Sequence, residues 1–368
     1  MPRPLILWTS DWHLAPGAWK KAPQIRGDSY FALEQIVDLA LQFGVKAVCC
    51  AGDLTDDPRP DAETVKVMRH QLDRLEESGK KVPFIRGQHD GLTGPPWLSA
   101  VHDGPHYCHR GTAEIAGVQV YGLDYMPPDE FRRALDEVEP GTDVLMTHQV
   151  WKDWIPWRNN APLLEELVLC GPKARFCVTG DFHHHLAVNR GEVTILSPGS
   201  ACMQALDEPP EKRVWLMYDD LSVQSVPLLS RPFHSITVET PEDLERAVAD
   251  VSPYMDMYCR TPGDLPEGVR VPIVRVRYAD NLPEADARLR AAFVRVHAFV
   301  EPYPSTQQVV EVGRDDKNDA AVHTALERLA PAGTVVHRDL TELMDAPNAG
   351  AALTNIRERF YREAVGED

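Results

Sequence analysis

Five short apolar segments of this chain each end at an aspartate or a histidine, or at a turn that contains one of these residues. They occupy residues 4–9, 45–51, 81–86, 143–148 and 174–180. An amphipathic helical pattern over 29–44, with Ser29 as its N-cap, separates the first two, and a second helical pattern that ends at Gly79 separates the next two. Strands that alternate with helices predict a largely parallel sheet, whose carboxyl-terminal loops converge. We therefore expect the polar residues after these segments to meet at one edge of a sheet.

Further strand patterns complete the predicted fold. They occupy residues 118–123, 192–196, 213–218 and 222–228. Residues 1–230 are thus predicted to form an α/β domain, a layered β-sandwich flanked by helices.

The rest of the chain is predicted to form smaller parts. A β-α-β-α-β pattern, in which Thr240 caps a helix and Pro241 begins it, predicts a small α+β domain over residues 231–302. Residues 303–318 are typical of a linker. Two short amphipathic patterns within residues 319–368 predict C-terminal helices, which either pack on the body of the protein or dock onto a partner.

Composition and charge restrict the possible functions. The formal net charge of −18 argues against nucleic-acid binding driven by the whole surface. Any affinity for DNA would need metal ions, a partner or both. Seven cysteines without a C-x-x-C pair argue against a disulfide framework or a zinc ribbon. The chain lacks an apolar window of about eighteen residues and a signal peptide, so we expect a cytoplasmic protein without a membrane span.

The residues after the five segments are suited to binding metal ions. A carboxylate such as Asp53 can bridge two divalent cations, and the amide oxygen of Gln88 suits a hard or borderline cation. His89 is expected over the substrate, with Asp90 orienting its ring. The polar residues after any one segment could simply be a polar strand end at the protein surface. The ordered series of all five instead predicts a site with two metal ions. The candidate residues are Asp11, His13, Asp53, Gln88, His89, Asp90, His148, Asp181 and His183.

The ordered blocks resemble a known family. They read DWH, GDLTD, GQHD, THQ and GDFH, which is similar to the D-x-H, G-D, G-N-H-[DE], H and G-H-x-H pattern of the calcineurin-like metallophosphoesterases. Within that superfamily, SDWHLA, AGDLTDD, MTHQVW, the SPGS at 197–200 and the RPF at 231–233 resemble the SbcD-type nuclease subunits of SbcCD repair complexes. Beyond residue 235 the resemblance is one of layout rather than of motif.

The resemblance implies a DNA nuclease that acts in repair and recombination, as an exonuclease, an endonuclease or both. It implies two divalent metal ions, most often Mn²⁺, with Mg²⁺ also compatible. It also implies a homodimer, an SMC-like coiled-coil ATPase as partner, a cap at 231–302 that positions DNA, and docking of the ATPase by the C-terminal helices. Two alternatives stay open: a small-substrate phosphodiesterase or phosphatase, and a catalytically weakened assembly subunit.

The same resemblance implies a role for each candidate residue. His89 would act as general acid or stabilise the transition state, with Asp90 behind it. One metal ion would be held by Asp11, His13, Asp53 and His183, and the other by Asp53, Gln88, His148 and Asp181.

Two residues depart from the family pattern. Gln88 stands where the family has Asn, and Asp181 stands where the family has His. Both changes fall on the same implied metal site. They either alter the metal-binding properties of that site or leave it weakly occupied or empty. A different register would pair His183 with His185, but we prefer Asp181 with His183 because Gly180 then keeps its place in the pattern.

Three tryptophans follow His148 at positions 151, 154 and 157. They would either stack on nucleobases or pack beneath the loop, and aromatic residues at this spacing favour packing.

Overall fold

The computed structural model describes residues 2–17, 19, 22–155, 165, 174–254 and 265–304. Residues 1–303 form one compact unit, and the description below concerns that unit. Beyond residue 304, the predicted linker and C-terminal helices lie outside the described residues, and so does Trp157.

Two six-stranded sheets contain the predicted strand segments. From edge to edge, the first sheet consists of β12 (Val223–Leu228), β11 (Lys212–Tyr218), β1 (Pro4–Thr9), β2 (Ala47–Ala51), β3 (Val82–Ile85) and β4 (Pro105–Tyr107). The second consists of β5 (Gly111–Ile115), β6 (Val118–Leu123), β7 (Val144–His148), β8 (Phe176–Gly180), β10 (Val193–Ser197) and β9 (Leu186–Arg190). Strands β1 to β4 pair in parallel, as do β6, β7, β8 and β10.

Helices pack against both large sheets and against a third, smaller sheet. They are α1 (Asp28–Phe43), α2 (Ala62–Glu77), α3 (Leu98–Val101), α4 (Pro128–Leu135), α5 (Pro241–Ala249), α6 (Glu267–Arg270) and α7 (Ala285–Ala292), with 3₁₀ turns at Gln88–Asp90 and Lys152–Trp154. The predicted helix over 29–44 is confirmed as α1, but the prediction that Ser29 caps it is wrong. Gly27, with φ of 86°, is the N-cap, and the Ser29 hydroxyl donates to the Ala15 carbonyl oxygen instead.

The layers follow from the side-chain alternation of the strands. In β1, Ile6 and Trp8 point into the core between the two sheets, whereas Leu7 points into the core beneath α1 and α2. In β2, Cys49 and Cys50 divide between the same two cores, and both are buried free thiols. Strands that are buried on both faces must be apolar throughout, which explains the continuous apolar segments of the sequence.

A third sheet follows the sandwich and has a core of its own. It consists of β13 (Phe233–Val238), β14 (Ile273–Ala279) and β15 (His297–Tyr303), all parallel. With α5 and α7 these strands confirm the predicted β-α-β-α-β order. The predicted cap is also confirmed, since the Thr240 hydroxyl accepts the Asp243 backbone N–H at 3.1 Å. Within the described residues, no helix is long and apolar enough to cross a membrane.

Arg231 connects the third sheet to the sandwich. Its buried guanidinium donates to both carboxylate oxygens of Asp28, at the start of α1, with both distances 2.8 Å. It also donates to the carbonyl oxygens of Val271 and Gly268 at 2.7 and 2.9 Å. The RPF segment therefore contributes a buried ion pair and carbonyl contacts that fix the position of β14 against α1.

Candidate metal centre

Six of the nine predicted site residues lie together at the carboxyl ends of strands from both large sheets, whereas Gln88, Asp90 and Asp181 lie outside the clusters that these six form. Strands β1, β2 and β3 belong to the first sheet, and β7 and β8 to the second. The loops after them bring together Asp11, His13, Asp53, His89, His148 and His183, whose ligand atoms form three overlapping clusters. In each cluster the atoms lie within 4.8 Å of one another.

The backbone around the centre adopts an uncommon conformation. Asp11, His13, Asp53 and Asp181 all have positive φ, at 49°, 42°, 50° and 72°. Non-glycine residues rarely adopt this conformation, and such strain concentrates at functional sites. Backbone hydrogen bonds stabilise the loops, because Asp11 donates to the Gly52 carbonyl oxygen and His13 to that of Asp53, both at 3.0 Å.

His13 and His183 approach Asp11 from different loops. The Nε2 atoms of His13 and His183 are 3.3 Å apart. Each also faces Asp11 Oδ1, at 3.9 Å from His13 and 3.8 Å from His183. Asp53 Oδ2 lies 3.6 Å from His13 Nε2. Three of the four side chains that the resemblance assigns to one metal ion, Asp11, His13 and His183, therefore form one cluster, and Asp53 faces that cluster through His13.

His148 forms a second cluster with the same two aspartates. Its Nε2 lies 3.3 Å from Asp53 Oδ2 and 3.9 Å from Asp11 Oδ1. Asp53 thus faces both groups of histidines, as a bridging carboxylate would. Asp11 also faces both groups, although the family resemblance assigns it to one metal ion only.

Several buried polar atoms of the centre have no hydrogen-bond partner in the described part of the chain. They include Asp11 Oδ2, Asp53 Oδ2 and His148 Nε2. Buried polar groups without partners are costly and rare in native proteins. Divalent cations would satisfy these carboxylate and imidazole atoms, so the residues fit the binding of two divalent metal ions.

Glycine is needed where the loops approach these ligands most closely. A Cβ atom at Gly87 would lie 2.0 Å from Asp53 Oδ1 and 2.6 Å from His148 Nε2. At Gly52, whose φ is 91°, it would lie 2.3 Å from His148 Nδ1. Any larger residue at either position would displace a candidate ligand.

Proton binding at the centre is strongly perturbed. Burial opposes the charged form of Asp53, but the neighbouring charges of His148 and His13 and the His89 backbone N–H hold the Asp53 pKa below its usual range. Burial likewise opposes the charged form of His148, but the Asp53 carboxylate raises the His148 pKa well above its usual value. Protons and metal ions therefore compete for the same atoms.

Asp90 does not orient the ring of His89, so that prediction is wrong. The His89 ring donates from Nδ1 to the Asp56 carbonyl oxygen at 2.9 Å. The 3₁₀ turn points Asp90 inward, where its carboxylate accepts the backbone N–H groups of Gly87 and Thr55 at 2.9 and 3.1 Å. Burial, followed by the charge of Asp53, raises the pKa of Asp90 to about 7. Asp56, which the sequence analysis missed, is the residue whose carbonyl oxygen holds the His89 ring.

A cavity of about 570 Å³ opens from the centre toward the third sheet. His13, His89 and His183 line one side of it, and Trp19, Arg275 and Phe299 line the other. The ring centroids of Trp19 and Phe299 are 5.4 Å apart. The volume lies in the range of small-ligand sites. The third sheet therefore forms a wall of the space in front of the centre.

Comparison with known families agrees with this geometry. The family model for calcineurin-like phosphoesterases matches residues 4–185, the range that carries all the candidate residues. Residues 4–185 form a calcineurin-like phosphoesterase domain. The sequence prediction of this superfamily and of its layered α/β fold is confirmed.

The phosphoesterase domain has relatives among archaeal DNA repair proteins. The DNA double-strand break repair protein Mre11 of Haloferax volcanii is 30% identical over 44% of this chain and 38% of that protein. Mre11 of Methanosarcina mazei is 26% identical over 64% of this chain and 40% of that protein. The chain thus spans about two fifths of the length of these relatives. A dimetal phosphatase from Danio rerio is similar in structure, with 12% identity and a TM-score of 0.40, over 62% of this chain and 99% of that one.

The two residues that depart from the phosphoesterase pattern contact each other. Gln88 Nε2 donates to Asp181 Oδ1 at 2.6 Å. His185 lies away from the centre: its ring stacks on Trp215 with centroids 4.2 Å apart, and its nitrogens bond Pro198 and Ser225. The geometry therefore favours the register that brings Asp181 and His183 to the phosphoesterase centre.

Carbonyl and carboxylate acceptors hold two candidate ligands in place. His148 Nδ1 donates to the Ala51 carbonyl oxygen at 2.6 Å, which leaves Nε2 facing the centre. His183 Nδ1 lies 2.7 Å from Glu208 Oε1. Such partners fix the tautomer and orientation of metal-binding histidines. No motif marks Glu208, so sequence analysis missed it.

The SPGS segment supports the loop that carries Asp181 and His183. The Ser197 hydroxyl donates to the Phe182 carbonyl oxygen at 3.0 Å, and the Ser200 hydroxyl donates to Glu208 at 3.0 Å. The Gly199 carbonyl oxygen accepts the Ser10 hydroxyl at 3.1 Å, next to the Asp11 loop. The segment therefore connects two ligand loops of the phosphoesterase centre.

The described tryptophans of the loop after His148 pack rather than project into the cavity. Trp151 is fully buried against Phe131, with ring centroids 5.8 Å apart. Trp154 lies against Phe182 at 5.1 Å. These contacts favour the packing interpretation over stacking on nucleobases.

Proposed function

We propose that this chain is a metal-dependent DNA nuclease that cleaves phosphodiester bonds as part of a repair complex. The observation that carries the proposal is the cavity that joins the candidate metal centre to the third sheet. A site for small phosphate esters needs only the centre. A wall that offers a guanidinium and two aromatic rings suits a longer substrate, whose further phosphates and bases extend away from the cleaved bond.

Each proposed role follows from the chemistry of the side chain. Asp11, His13, Asp53 and His183 would hold one ion, and Asp53, Gln88, His148 and Asp181 the other. When bound, two divalent ions lower the pKa of an attacking water and offset charge on the phosphoryl oxygens. We propose Mn²⁺ as the physiological ion, with Mg²⁺ as the alternative.

His89 is the proposed proton donor or stabiliser of the transition state. Its Nδ1 is occupied by the Asp56 carbonyl oxygen, and Asp56 Oδ1 lies 3.6 Å from the same nitrogen. The ring is therefore held by one nitrogen, which leaves Nε2 to exchange a proton with the leaving oxygen.

Arg275 is the proposed contact for a further phosphate of the DNA. It lies on the central strand of the third sheet opposite Phe299 in β15, and it pairs with Glu301 at 3.1 Å. Arg275 is the one arginine among the described residues that line the cavity, and in a chain with a net charge of −18 it would exchange its pairing with Glu301 for a phosphate of the DNA.

Residues 231–302 would accordingly act as a cap that positions DNA. We further propose a homodimer, and an SMC-like coiled-coil ATPase as partner bound through the C-terminal helices. The similarity of this chain to proteins of DNA double-strand break repair supports this assignment.

The test compares two kinds of substrate, DNA and a small phosphodiester, with the full chain in Mn²⁺. End-labelled linear DNA and circular single-stranded DNA report nuclease activity, and a chromogenic phosphodiester reports the centre alone. We expect cleavage of both kinds of substrate and loss of both activities in His89→Ala. Arg275→Gln should weaken DNA cleavage at least tenfold and leave the chromogenic reaction within about twofold. Arg277→Gln, two residues along the same strand and outside the cavity wall, is the matched control.

The alternative functions predict different results. Turnover of the chromogenic diester with intact DNA, alone and with the ATPase partner, would indicate a small-substrate phosphodiesterase. No turnover of either substrate, with tight binding to the partner, would indicate an assembly subunit.

A further inference from the structure

The two departures from the family pattern form a single contact across the two sheets. Gln88 follows β3 of the first sheet, and Asp181 follows β8 of the second. Ninety-three residues separate them, yet the Gln88 side-chain nitrogen lies 2.6 Å from Asp181 Oδ1. The longer amide of Gln88 thus reaches a carboxylate that takes the place of an imidazole.

The chemistry of this contact sets its orientation. A carboxylate only accepts hydrogen bonds, so the Gln88 NH₂ group faces Asp181, and the Gln88 carbonyl oxygen remains available for another partner. The Asp181 backbone is also fixed, because its N–H donates to Asp11 Oδ1 at 3.1 Å. The Gln88 amide and the Asp181 carboxylate are therefore held together, and the Asp181 backbone contacts Asp11, a member of the second cluster.

We propose that Gln88 and Asp181 act as one coupled unit that makes the second metal site oxygen-rich and shifts its preference toward Mn²⁺ and Mg²⁺ relative to Zn²⁺. The inference rests on the proposed binding of two metal ions at this centre. The second donor set would be three oxygen ligands, from Asp53, Asp181 and Gln88, with one nitrogen from His148. The first set has two carboxylates and the imidazoles of His13 and His183.

The difference in donor atoms gives the two sites different selectivity. Carboxylate and carbonyl oxygens suit hard cations such as Mg²⁺ and Mn²⁺, whereas imidazole suits Zn²⁺. Replacing an imidazole by a carboxylate also adds a negative charge, which strengthens the electrostatic binding of any divalent cation. The hydrogen bond from Gln88 orients that carboxylate, so the two substitutions belong together.

The test measures metal affinity without any catalytic readout. Full-length protein stripped of metal is titrated with Mn²⁺ and with Zn²⁺ in competition with a fluorescent chelator, for the parent, Gln88→Asn, Asp181→His and the double variant. We expect Asp181→His to raise the ratio of Zn²⁺ to Mn²⁺ affinity about tenfold or more at one of two sites. Gln88→Asn should weaken Mn²⁺ binding at that site, and the double variant should show non-additive effects, because the two residues contact each other.

Controls separate this inference from general disturbance and from the proposed function. Asp129→His adds a histidine at an exposed position of α4 and should leave both affinities unchanged, and thermal unfolding verifies that each variant folds. The inference would be overturned if the ratio of Zn²⁺ to Mn²⁺ affinity in Asp181→His stayed within twofold of the parent. It would also be overturned if the effects of the two single substitutions were strictly additive in the double variant. DNA cleavage is assayed separately. If the variants show the predicted metal preference but the protein does not cleave DNA, the nuclease proposal is refuted and this inference stands.

Discussion

Glu208 gives the sharpest prediction about how the centre is supported. The carboxylate is buried and accepts hydrogen bonds from Lys212 Nζ at 2.7 Å and the Ser200 hydroxyl at 3.0 Å, beside its 2.7 Å contact with His183. Burial would raise the pKa of Glu208, but the His183 hydrogen bond and the charge of Lys212 lower it to about 2. We predict that Glu208→Gln destabilises the protein and weakens metal binding.

The magnitude follows from the pKa. Lowering the pKa from 4.5 to about 2 corresponds to about 3 kcal/mol of folding free energy at about 1.4 kcal/mol per pKa unit. Removing one partner of a buried ion pair costs a similar amount, about 3–5 kcal/mol, because Lys212 stays buried without its counter-charge. Loss of the carboxylate behind His183 should also weaken metal binding about 10–100-fold.

The sign of the pH dependence is fixed by the lowered pKa. Stabilisation by the ionised Glu208 is complete above about pH 4.5 and is lost as the pH falls toward 2. The difference in unfolding free energy between the parent and Glu208→Gln should therefore be about 3 kcal/mol at neutral pH and less than half of that at about pH 3.

Urea unfolding in the presence of a chelator measures this difference without a contribution from metal ions. Glu211→Gln, an exposed change three residues away, is the matched control and should stay within about 0.5 kcal/mol of the parent. A loss below about 1 kcal/mol at neutral pH, or a loss of equal size at about pH 3, would refute the reasoning.

Three further predictions concern other parts of the fold. Gly87→Ala should reduce metal uptake at least tenfold in elemental analysis, because its Cβ would collide with Asp53, whereas Gly111→Ala, with its nearest neighbouring atom at 3.6 Å, should keep full uptake. Arg231→Lys should lower the unfolding free energy by about 2–3 kcal/mol in urea, because lysine cannot replace the paired guanidinium bonds; a change under about 0.5 kcal/mol would contradict this. Metal affinity should fall about tenfold per pH unit below the raised pKa of His148, since binding displaces its proton, and a flat profile in titration calorimetry would refute that competition.

Much of the fold could be predicted from local patterns. The apolar segments predicted β1, β2, β3, β7 and β8 because strands between two covered faces must be apolar throughout. Short elements were missed, including β4, β5, β9 and α4. In β9 most side chains are exposed, so its sequence shows little apolar pattern. The strand forms by backbone hydrogen bonding to β10, which side-chain hydrophobicity does not reveal.

The sequence by itself determined the family, the layered α/β fold and the strand ends at which the candidate ligands lie. Each of these depends on residues close together in the chain, where periodicity and short motifs reflect burial and turn geometry. Only the tertiary structure decided that Asp56 rather than Asp90 holds His89, that Glu208 supports His183 and that Gln88 meets Asp181. It also decided that Arg275 lines the cavity before the centre. These contacts join segments from different loops and sheets, and their formation depends on how the sheets pack, which local patterns do not encode.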